Sequence, residues 1–560
     1  PGHGVTIMSG WPVVAGLARR GAASHRGATT VPTARGAAAG REPWRERFAT
    51  DGPFVVLLGA TLVLCLFLLR PGHDWGDDFA LYIHQAKALA QGDVQAMYHQ
   101  NQLTVEQSAW HTFSPYTYGW GFPVLLAPLY ALFGISFTAF KNLEIVLYLG
   151  FLTAFYALIR DRIDRLAALL IISALVLDTL YTSWTNTVLT EFPFLCSAMV
   201  SLLAIDALYR DGRLPRWPPT LRALLPLTGL GVLLGFTTNI RTEGSLLLLA
   251  LATRQVVVIV EHRRAWRGRW LGQLAVLSVP WVAAIIVGAG MRLLLPTDSG
   301  RALTLAGGLG GHNFKPNDGF YRTTLAELLS VKTDVHGTLL LALLVFLIVL
   351  ALGGMLLGGR RDLPMSVFAL SLAMVYMELP YREGRYLLGV LPFLLYFATQ
   401  GLRGIDIGRW SIQPRHVLLL VLVARHGLGM ANAADYWRTY PKAIEGPAST
   451  SSQQMFAAVD SYVPPGQIVV FFRPRALNLF THRTAITAGS SLPFLLERGD
   501  WYAMAKGSDY AQCALTDDEA AATGRISKVW ENDAWVLWHI DREAGPLPPA
   551  LATDVSTCRL

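Results

Sequence analysis

The chain has 560 residues, of which 52% are hydrophobic and only 15% charged, whereas soluble domains carry about 25% charge. With a mean hydropathy of +0.38, this excludes a disordered chain and argues against a purely soluble one. The net charge of +8 sits mainly on arginines in short loops between apolar runs, so it reports membrane topology, and no nucleic-acid partner is expected.

Residues 1–48 are rich in Ala, Gly, Arg, Thr and Pro and show no hydrophobic period. They are expected to form a disordered tail, without the apolar core of a secretory signal. The chain opens on Pro1, and Met8 stands nearer a natural start. The first apolar run covers residues 53–69. Further runs of spanning length centre on 141–159, 166–181, 191–209, 223–240, 244–260, 271–295, 338–358, 364–380, 386–402 and 415–431, about eleven transmembrane helices in all. Residues 121–134 are too short to span and carry Pro123 and Pro128, which suits an interfacial or re-entrant helix.

With that count, one side of the membrane receives the Arg-rich tail and the basic loops around Arg160–Arg165, Arg210–Arg222, Arg263–Arg269, Arg360–Arg361 and Arg403–Arg415. By the positive-inside rule that side is cytoplasmic. The opposite, extracytoplasmic side receives a long first loop (71–139), the loop 296–337 and everything after about residue 432. The loop 296–337 holds a glycine run, His312, Lys315 and Lys332 and reads as a mobile cover. From residue 432 the composition turns soluble. A helix over 453–462, ended by Pro464-Pro465-Gly466, and strands over 467–473, 510–515, 526–531 and 535–540 predict a small C-terminal α/β extracytoplasmic domain. Cys65 and Cys196 fall in spans as ordinary packing residues. Cys513 and Cys558 fall in the C-terminal domain as a candidate pair that nothing in the spacing forces.

The first loop holds the most informative residues. Asp77 and Asp78 stand where a span ends and a helix begins. Helix capping accounts for one acid there but less well for two. Asp78 and Tyr82 share a helix face, and the helix ends at Gly92. In later loops on the same side come Glu191 at the mouth of a span, Arg241 with Glu243, and Arg382 with Arg385 and Tyr386. Arg241 is either a local ion-pair partner of Glu243 or a phosphate ligand. Arg382 and Arg385 either bind phosphate through their planar forks or face lipid headgroups. Lys141 is expected at the interface.

Asp78, Tyr82 and Ala86, a few residues after the first span, resemble the first-loop pattern of GT-C type glycosyltransferases. The likeness is to protein O-mannosyltransferases, lipid A aminoarabinose transferases and rhizobial lipopolysaccharide glycosyltransferases. Ser114–Pro123 through Leu132-Phe133-Gly134 is similar to their juxtamembrane segment. Lys141-Asn142-Leu143 stands where Arg-Leu is common. Thr190-Glu191-x-Pro193 resembles their acidic second-loop motif. Arg385-Tyr386-Leu-Leu-x-x-Leu-Pro392 resembles the late Arg-Tyr-Leu-x-Pro motif. The ordered set covers about residues 50–400 and has no counterpart for Arg382.

The resemblance implies a polytopic GT-C-like catalytic domain over 49–431, in a prokaryotic inner membrane. It implies an enzyme that moves a sugar from a polyprenyl-phosphate donor to a glycan, lipid or protein acceptor. Such a donor already has a good leaving group. The acceptor needs a carboxylate base, and the departing phosphate needs fixed positive charge. One base and no covalent intermediate give inversion. Asp78 is the first choice for the base and Asp77 the alternative. Glu191 either supports the base or orients the acceptor, or is a plain interfacial acid. Arg385, Arg382 and Arg241 are the candidates for the donor phosphate, and Tyr82, Lys315 and Tyr386 for the rest of the pocket. No cofactor is firmly predicted. Some relatives bind a divalent cation, but the spacing of His73, His84, His99, His111 and His312 is not that of a metal site. Two readings from other classes stand beside this one, a transporter or flippase and an inactive scaffold.

Overall fold

The computed structural model describes residues 44–109, 115–210, 219–298, 314–328, 333–379, 382–403, 413–439, 443–507 and 510–544. By its contacts the chain divides into Pro1–Gly52 and Pro53–Leu560, and the second unit carries the helices from Pro53 onward and the sheet. In chain order the first helices are α1 (Trp44–Leu68), α2 (Asp78–Gln91), α3 (Val94–Gln107), α4 (Gly121–Phe133), α5 (Phe137–Ile159), α6 (Arg165–Leu177), α7 (Thr179–Trp184) and α8 (Glu191–Leu208). Then come α9 (Leu221–Ile240), α10 (Leu246–His262), α11 (Trp270–Leu294), α12 (Phe314–Leu328), α13 (Thr333–Leu357), α14 (Leu363–Glu378), α15 (Leu387–Gly401) and α16 (Pro414–Thr439).

Among the described residues, seven helices are long and apolar enough to cross a bilayer: those over Asp51–Leu68, Phe137–Ile159, Glu191–Leu208, Leu221–Ile240, Thr242–His262, Trp270–Leu294 and Pro414–Trp437. They leave large apolar side chains on their outer faces, with Leu271 82% and Leu293 86% exposed. Water would not tolerate that pattern and lipid tails do. The chain is a polytopic helical membrane protein. The count of eleven is not reached by this measure. Gly121–Phe133, Arg165–Leu177, Leu344–Leu357 and Leu363–Glu378 are apolar but shorter. The run expected over 166–181 is broken at Asp178, whose carboxylate accepts a hydrogen bond from Leu180 N at 2.8 Å and caps α7. That leaves α6 about 20 Å long against roughly 30 Å of hydrocarbon.

Close helix contacts rest on small residues. A Cβ on Gly354 of α13 would collide with the Phe397 carbonyl of α15, and one on Gly231 of α9 with the Pro280 carbonyl of α11. Such positions let backbones approach without a side chain between them.

α8 fixes two polar clusters at opposite ends. Near its C-terminus, Asp206 binds Arg162 at 2.8 Å, Arg210 at 2.7 Å and Arg361 at 2.8 Å, tying three basic loops together. At its N-terminus stands Glu191, roughly 22 Å away along the helix axis. The long loop expected over 296–337 is in part helical, since α12 occupies Phe314–Leu328. Its glycine run and His312 lie outside the described residues, as do Lys332, His111 and Cys558.

Beyond α16 the chain builds a mixed sheet from β1 (Ile468–Val470), β2 (Thr484–Ile486), β3 (Trp501–Ala505), β4 (Ile526–Glu531) and β5 (Trp535–Ile540), in the order β2-β1-β3-β5-β4. β1 pairs in parallel with β2 and β3; β5 lies antiparallel between β3 and β4. The helices α17 (Thr450–Tyr462), α18 (Pro474–Phe480), α19 (Leu492–Arg498) and α20 (Asp517–Ala522) complete this region. Residues 510–515, read as a strand, are irregular. Gln512 brackets Ala505 with its side chain, donating to the Ala505 carbonyl at 2.7 Å and accepting from its N–H at 3.2 Å. A side-chain amide thus replaces the ladder that a strand would have made. β2 and β3 escape the sequence reading because they are short and lack alternation.

The sheet region is interlocked with the first loop. Trp75 packs edge-on among Phe456, Phe471, Phe472 and Trp535. Thr104 of α3 donates to the Ala485 carbonyl of β2 at 2.8 Å, and Ala109 N donates to the Thr487 carbonyl at 2.8 Å. Trp75→Ala removes the aromatic plug and is expected to cost about 3 kcal/mol, read as faster proteolysis of residues 450–540. Unchanged proteolysis would show that polar contacts alone hold the two together.

Candidate functional site

Asp77 and Asp78 are neighbours in sequence but face different partners. Asp77 is the N-cap of α2 and is 8% exposed. Its carboxylate accepts from Arg475 N at 3.2 Å and lies 3.5 Å from the Arg473 guanidinium. Burial raises its pKa to about 6, against the pull of those two arginines. Asp77 therefore belongs to the contact with the sheet region. The reading of Asp77 as an alternative base gains nothing from this position.

Asp78 begins α2 and keeps 36% of its side chain exposed. One oxygen accepts from the Tyr118 hydroxyl, and the other lies 3.2 Å from Arg385 Nη2. Burial pushes its pKa up, but the Arg385 charge and the Tyr118 hydrogen bond outweigh it and hold the carboxyl below the usual range. Asp78 is ionised at neutral pH.

Glu191 stands at the start of α8, where the helix end favours a negative charge. Its Oε1 lies 2.9 Å from Arg241 Nη1 and 3.5 Å from Arg385 Nε. Its Oε2 is buried and makes no hydrogen bond. Arg241 follows the end of α9 in extended backbone and also binds Glu243 at 2.8 Å. Both readings of Arg241 thus meet in one geometry: it pairs locally and reaches the acid on α8. Arg385 sits in a short 3-10 turn between α14 and α15. The Tyr386 ring lies beneath both guanidinium groups, 5.3 Å from Arg241 and 5.9 Å from Arg385. Burial works against both charges, but their acidic partners hold both guanidiniums more firmly protonated than usual.

The structure therefore brings Asp78, Glu191, Arg241, Arg385 and Tyr386 together. Tyr82 joins them through its ring, stacked on Tyr118 at 4.6 Å. Arg382 does not join them. It is exposed and donates to Asn317 of α12 at 3.1 Å, because the 3-10 turn that aims Arg385 inward begins only after it. Lys315 lies in α12, where the backbone alone is described. Lys141, expected at the interface, is fully buried and donates to the Arg70 carbonyl at 2.8 Å.

Two residues of the site were not anticipated from the sequence. Tyr118 lies within the Ser114–Pro123 motif and reaches Asp78 because Gly119 packs flush against Asn239 near the end of α9, where a Cβ would enter the Asn239 carbonyl. Arg475 comes from the sheet region. It is 3% exposed and reaches the Tyr118 hydroxyl at 3.5 Å and the Asn101 side chain at 3.2 Å. The glycine was a legible signal for Tyr118; Arg475 had none. Among the described residues no group of three His, Cys, Asp or Glu side chains converges. The acids of the site are neutralised by arginine, so this donor set does not fit a divalent cation. His73 uses one ring nitrogen on Asp74 O and the other on Val188 N.

No protein-family model matches the chain, and no curated protein matches it. Among solved structures, ArnT from Cupriavidus metallidurans in the apo state is similar at a TM-score of 0.50 and 14% identity, over 89% of this chain and 100% of that one. The same protein bound to undecaprenyl phosphate gives a TM-score of 0.49 at 14% identity, over 89% and 99%. The archaeal oligosaccharyltransferase AglB from Archaeoglobus fulgidus, in complex with an inhibitory peptide and a dolichol-phosphate, gives 0.47 at 12% identity, over 83% and 70%. The likeness to apo ArnT is one of fold, and it is the fold that the loop motifs led one to expect.

Arg241→Ala would leave Glu191 and Glu243 facing each other in a buried setting. It is expected to destabilise the protein by about 3–5 kcal/mol, read as a lower unfolding midpoint in detergent. Arg241→Ala combined with Glu191→Gln should recover part of that loss. No recovery would show that the two do not act as a pair.

Proposed function

We propose that the chain is a membrane glycosyltransferase. It moves a sugar from a polyprenyl phosphate to an acceptor hydroxyl or amine on the extracytoplasmic face. The observation that carries this reading is one juxtaposition. Asp78 is ionised and partly exposed. It stands beside a guanidinium whose contacts are long and whose Nε makes no hydrogen bond. A carboxylate able to take a proton and an arginine with donors to spare are the two groups that sugar transfer from a lipid phosphate requires. ArnT, whose fold the chain shares, has been solved with undecaprenyl phosphate bound, which agrees with a donor of that class.

In the proposed reaction the acceptor oxygen or nitrogen attacks the anomeric carbon and passes its proton to Asp78. The bond from that carbon to the phosphate oxygen breaks, and the phosphate leaves with the electron pair. Arg385, supported by Glu191 and Arg241, stabilises the departing charge. Attack opposite to the leaving group inverts the anomeric centre. Tyr118 keeps Asp78 ionised and oriented. Tyr82 and Tyr386 supply ring faces to the pocket. In this reading the N-terminal tail and basic loops are cytoplasmic, the sheet region is extracytoplasmic, α6, α13, α14 and α15 complete the spans, and α4 lies at the interface. Asp206, an acid on a membrane helix, is held by three arginines and so is not free to relay a transported ion.

The test is sugar transfer from a panel of polyprenyl-phosphate sugars, with the purified chain in nanodiscs and an envelope extract as acceptor. Asp78→Asn is expected to lower kcat by about 10²–10⁴-fold with donor binding kept; full activity would remove the base assignment. Arg385→Ala is expected to weaken binding of the polyprenyl phosphate alone by about tenfold or more; unchanged affinity would remove Arg385 from the donor site. Tyr118→Phe deletes a donor to Asp78, so the Asp78 pKa rises. The acid limb of the pH–rate profile should move to higher pH, and a fixed limb would show that Asp78 is not the titrating base. Transfer of no sugar by folded wild-type protein would overturn the proposal.

A further inference from the structure

A cavity of about 490 Å³ lies between the end of α1, the α6–α7 junction, α12 and α16. None of Asp78, Glu191, Arg241 or Arg385 lines it. Its walls are apolar, with Leu68, Leu177, Met430 and Ala433. Tyr436, which is 52% exposed, also lines it. Most polar groups along it are already engaged. The hydroxyls of Thr182, Ser183 and Thr324 donate to backbone carbonyls of their own helices, and the Asn186 amide donates to the Leu68 carbonyl.

One group is left over. Asp178 is 1% exposed. Its Oδ1 is used as the cap of α7, and Oδ2 is buried without a hydrogen-bond partner in a residue that lines the cavity. His426 of α16 lines the same wall, with Nδ1 3.8 Å from that oxygen. The distance is too long for a hydrogen bond. It is also short enough for one small polar group to touch both. A buried acid oxygen beside an apolar cavity is costly unless something pairs with it.

We infer that this cavity binds a single-chain amphiphile whose hydroxyl bridges Asp178 and His426 while its tail lies along the apolar wall. A hydroxyl can donate to the acid oxygen and accept from the imidazole at once, so it satisfies both wherever the proton sits. The cavity falls in the size range of small-molecule sites, with many apolar contacts and few converging polar ones. The position of Tyr436 and Trp437 at one end suits the lipid–water boundary, where aromatic side chains gather. This site is independent of the sugar-transfer reading.

The probe is tritiated 1-monooleoylglycerol, with methyl oleate as the counterpart that lacks hydroxyls, bound to the purified full chain in detergent. Monooleoylglycerol is expected to bind about tenfold more tightly than methyl oleate, the worth of one hydrogen bond to an acid. Ala433→Phe should abolish binding by filling the cavity. Asp178→Asn keeps the α7 cap but replaces the acid oxygen, and should cost about tenfold in affinity. Met430→Trp serves as a second filling variant if Ala433→Phe lowers the unfolding midpoint. Equal binding of the two lipids, or undiminished binding by a folded filling variant, would overturn the inference. Full affinity in Asp178→Asn would overturn the assignment of the acid. Because no sugar donor is present, failure here and failure of the transferase reading are separate results.

Discussion

The structure turns on a run of alternating charges held in a poorly hydrated setting. Asp78, Arg385, Glu191, Arg241 and Glu243 follow one another through contacts of 2.8–3.5 Å. Each belongs to a different turn: the start of α2, the 3-10 turn before α15, the start of α8, the end of α9 and the turn after it. None could be buried alone, because an isolated ion away from water is too costly. Their mutual neutralisation is what lets four segments close over one another at the ends of apolar helices. The run is not fully satisfied: Glu191 Oε2 and Arg385 Nε are left without hydrogen bonds.

A second constraint joins this charge run to a distant part of the chain. The Tyr118 hydroxyl touches Asp78 on one side and meets the Arg475 guanidinium at 3.5 Å on the other. Arg475 is fixed in turn by Asn101 and by the Pro115 carbonyl, at 3.2 and 2.5 Å. The sheet region thus contributes to the orientation of the carboxylate without meeting it. Asp77 completes the joint from the loop side. The two adjacent acids divide the work, one facing the sheet region and one facing Arg385.

The helices were legible because apolar runs of spanning length allow little else in a membrane. Their breaks were less so. Asp178 interrupts an apolar stretch with a cap, which a hydropathy average conceals. At the site, Asp78, Glu191 and Arg385 could be read from ordered motifs at helix ends, and Arg241 from its place with Glu243 between two spans, since helix termini gather there whatever the tertiary detail. Which of Asp77 and Asp78 faces inward depends on partners about 300 and 400 residues away, Arg385 and Arg475, and no local pattern carries that. The same holds for Arg382 against Arg385, where three residues of separation and the onset of a 3-10 turn decide direction. The sheet was half legible: β4 and β5 stand where expected, whereas the three-residue β2 is defined by pairing rather than by its own sequence.

The contact between Asp77 and Arg475 spans 398 positions, and that separation bears on how the protein is made. At about 5–20 residues per second, roughly 20–80 s separate the synthesis of the first loop from that of the residue that locks it. For most of that interval Trp75 has no aromatic neighbours from the sheet region to pack against, and for the first 307 positions Asp78 lacks Arg385 as well. The helices can enter the bilayer one after another, but the joint between the first loop and the sheet region cannot close until residue 475 is made. A chain truncated after α16 would therefore be an inserted membrane protein whose first loop lacks its partners from the sheet region, and a chaperone that shields the first loop would have most to do before residue 475 emerges.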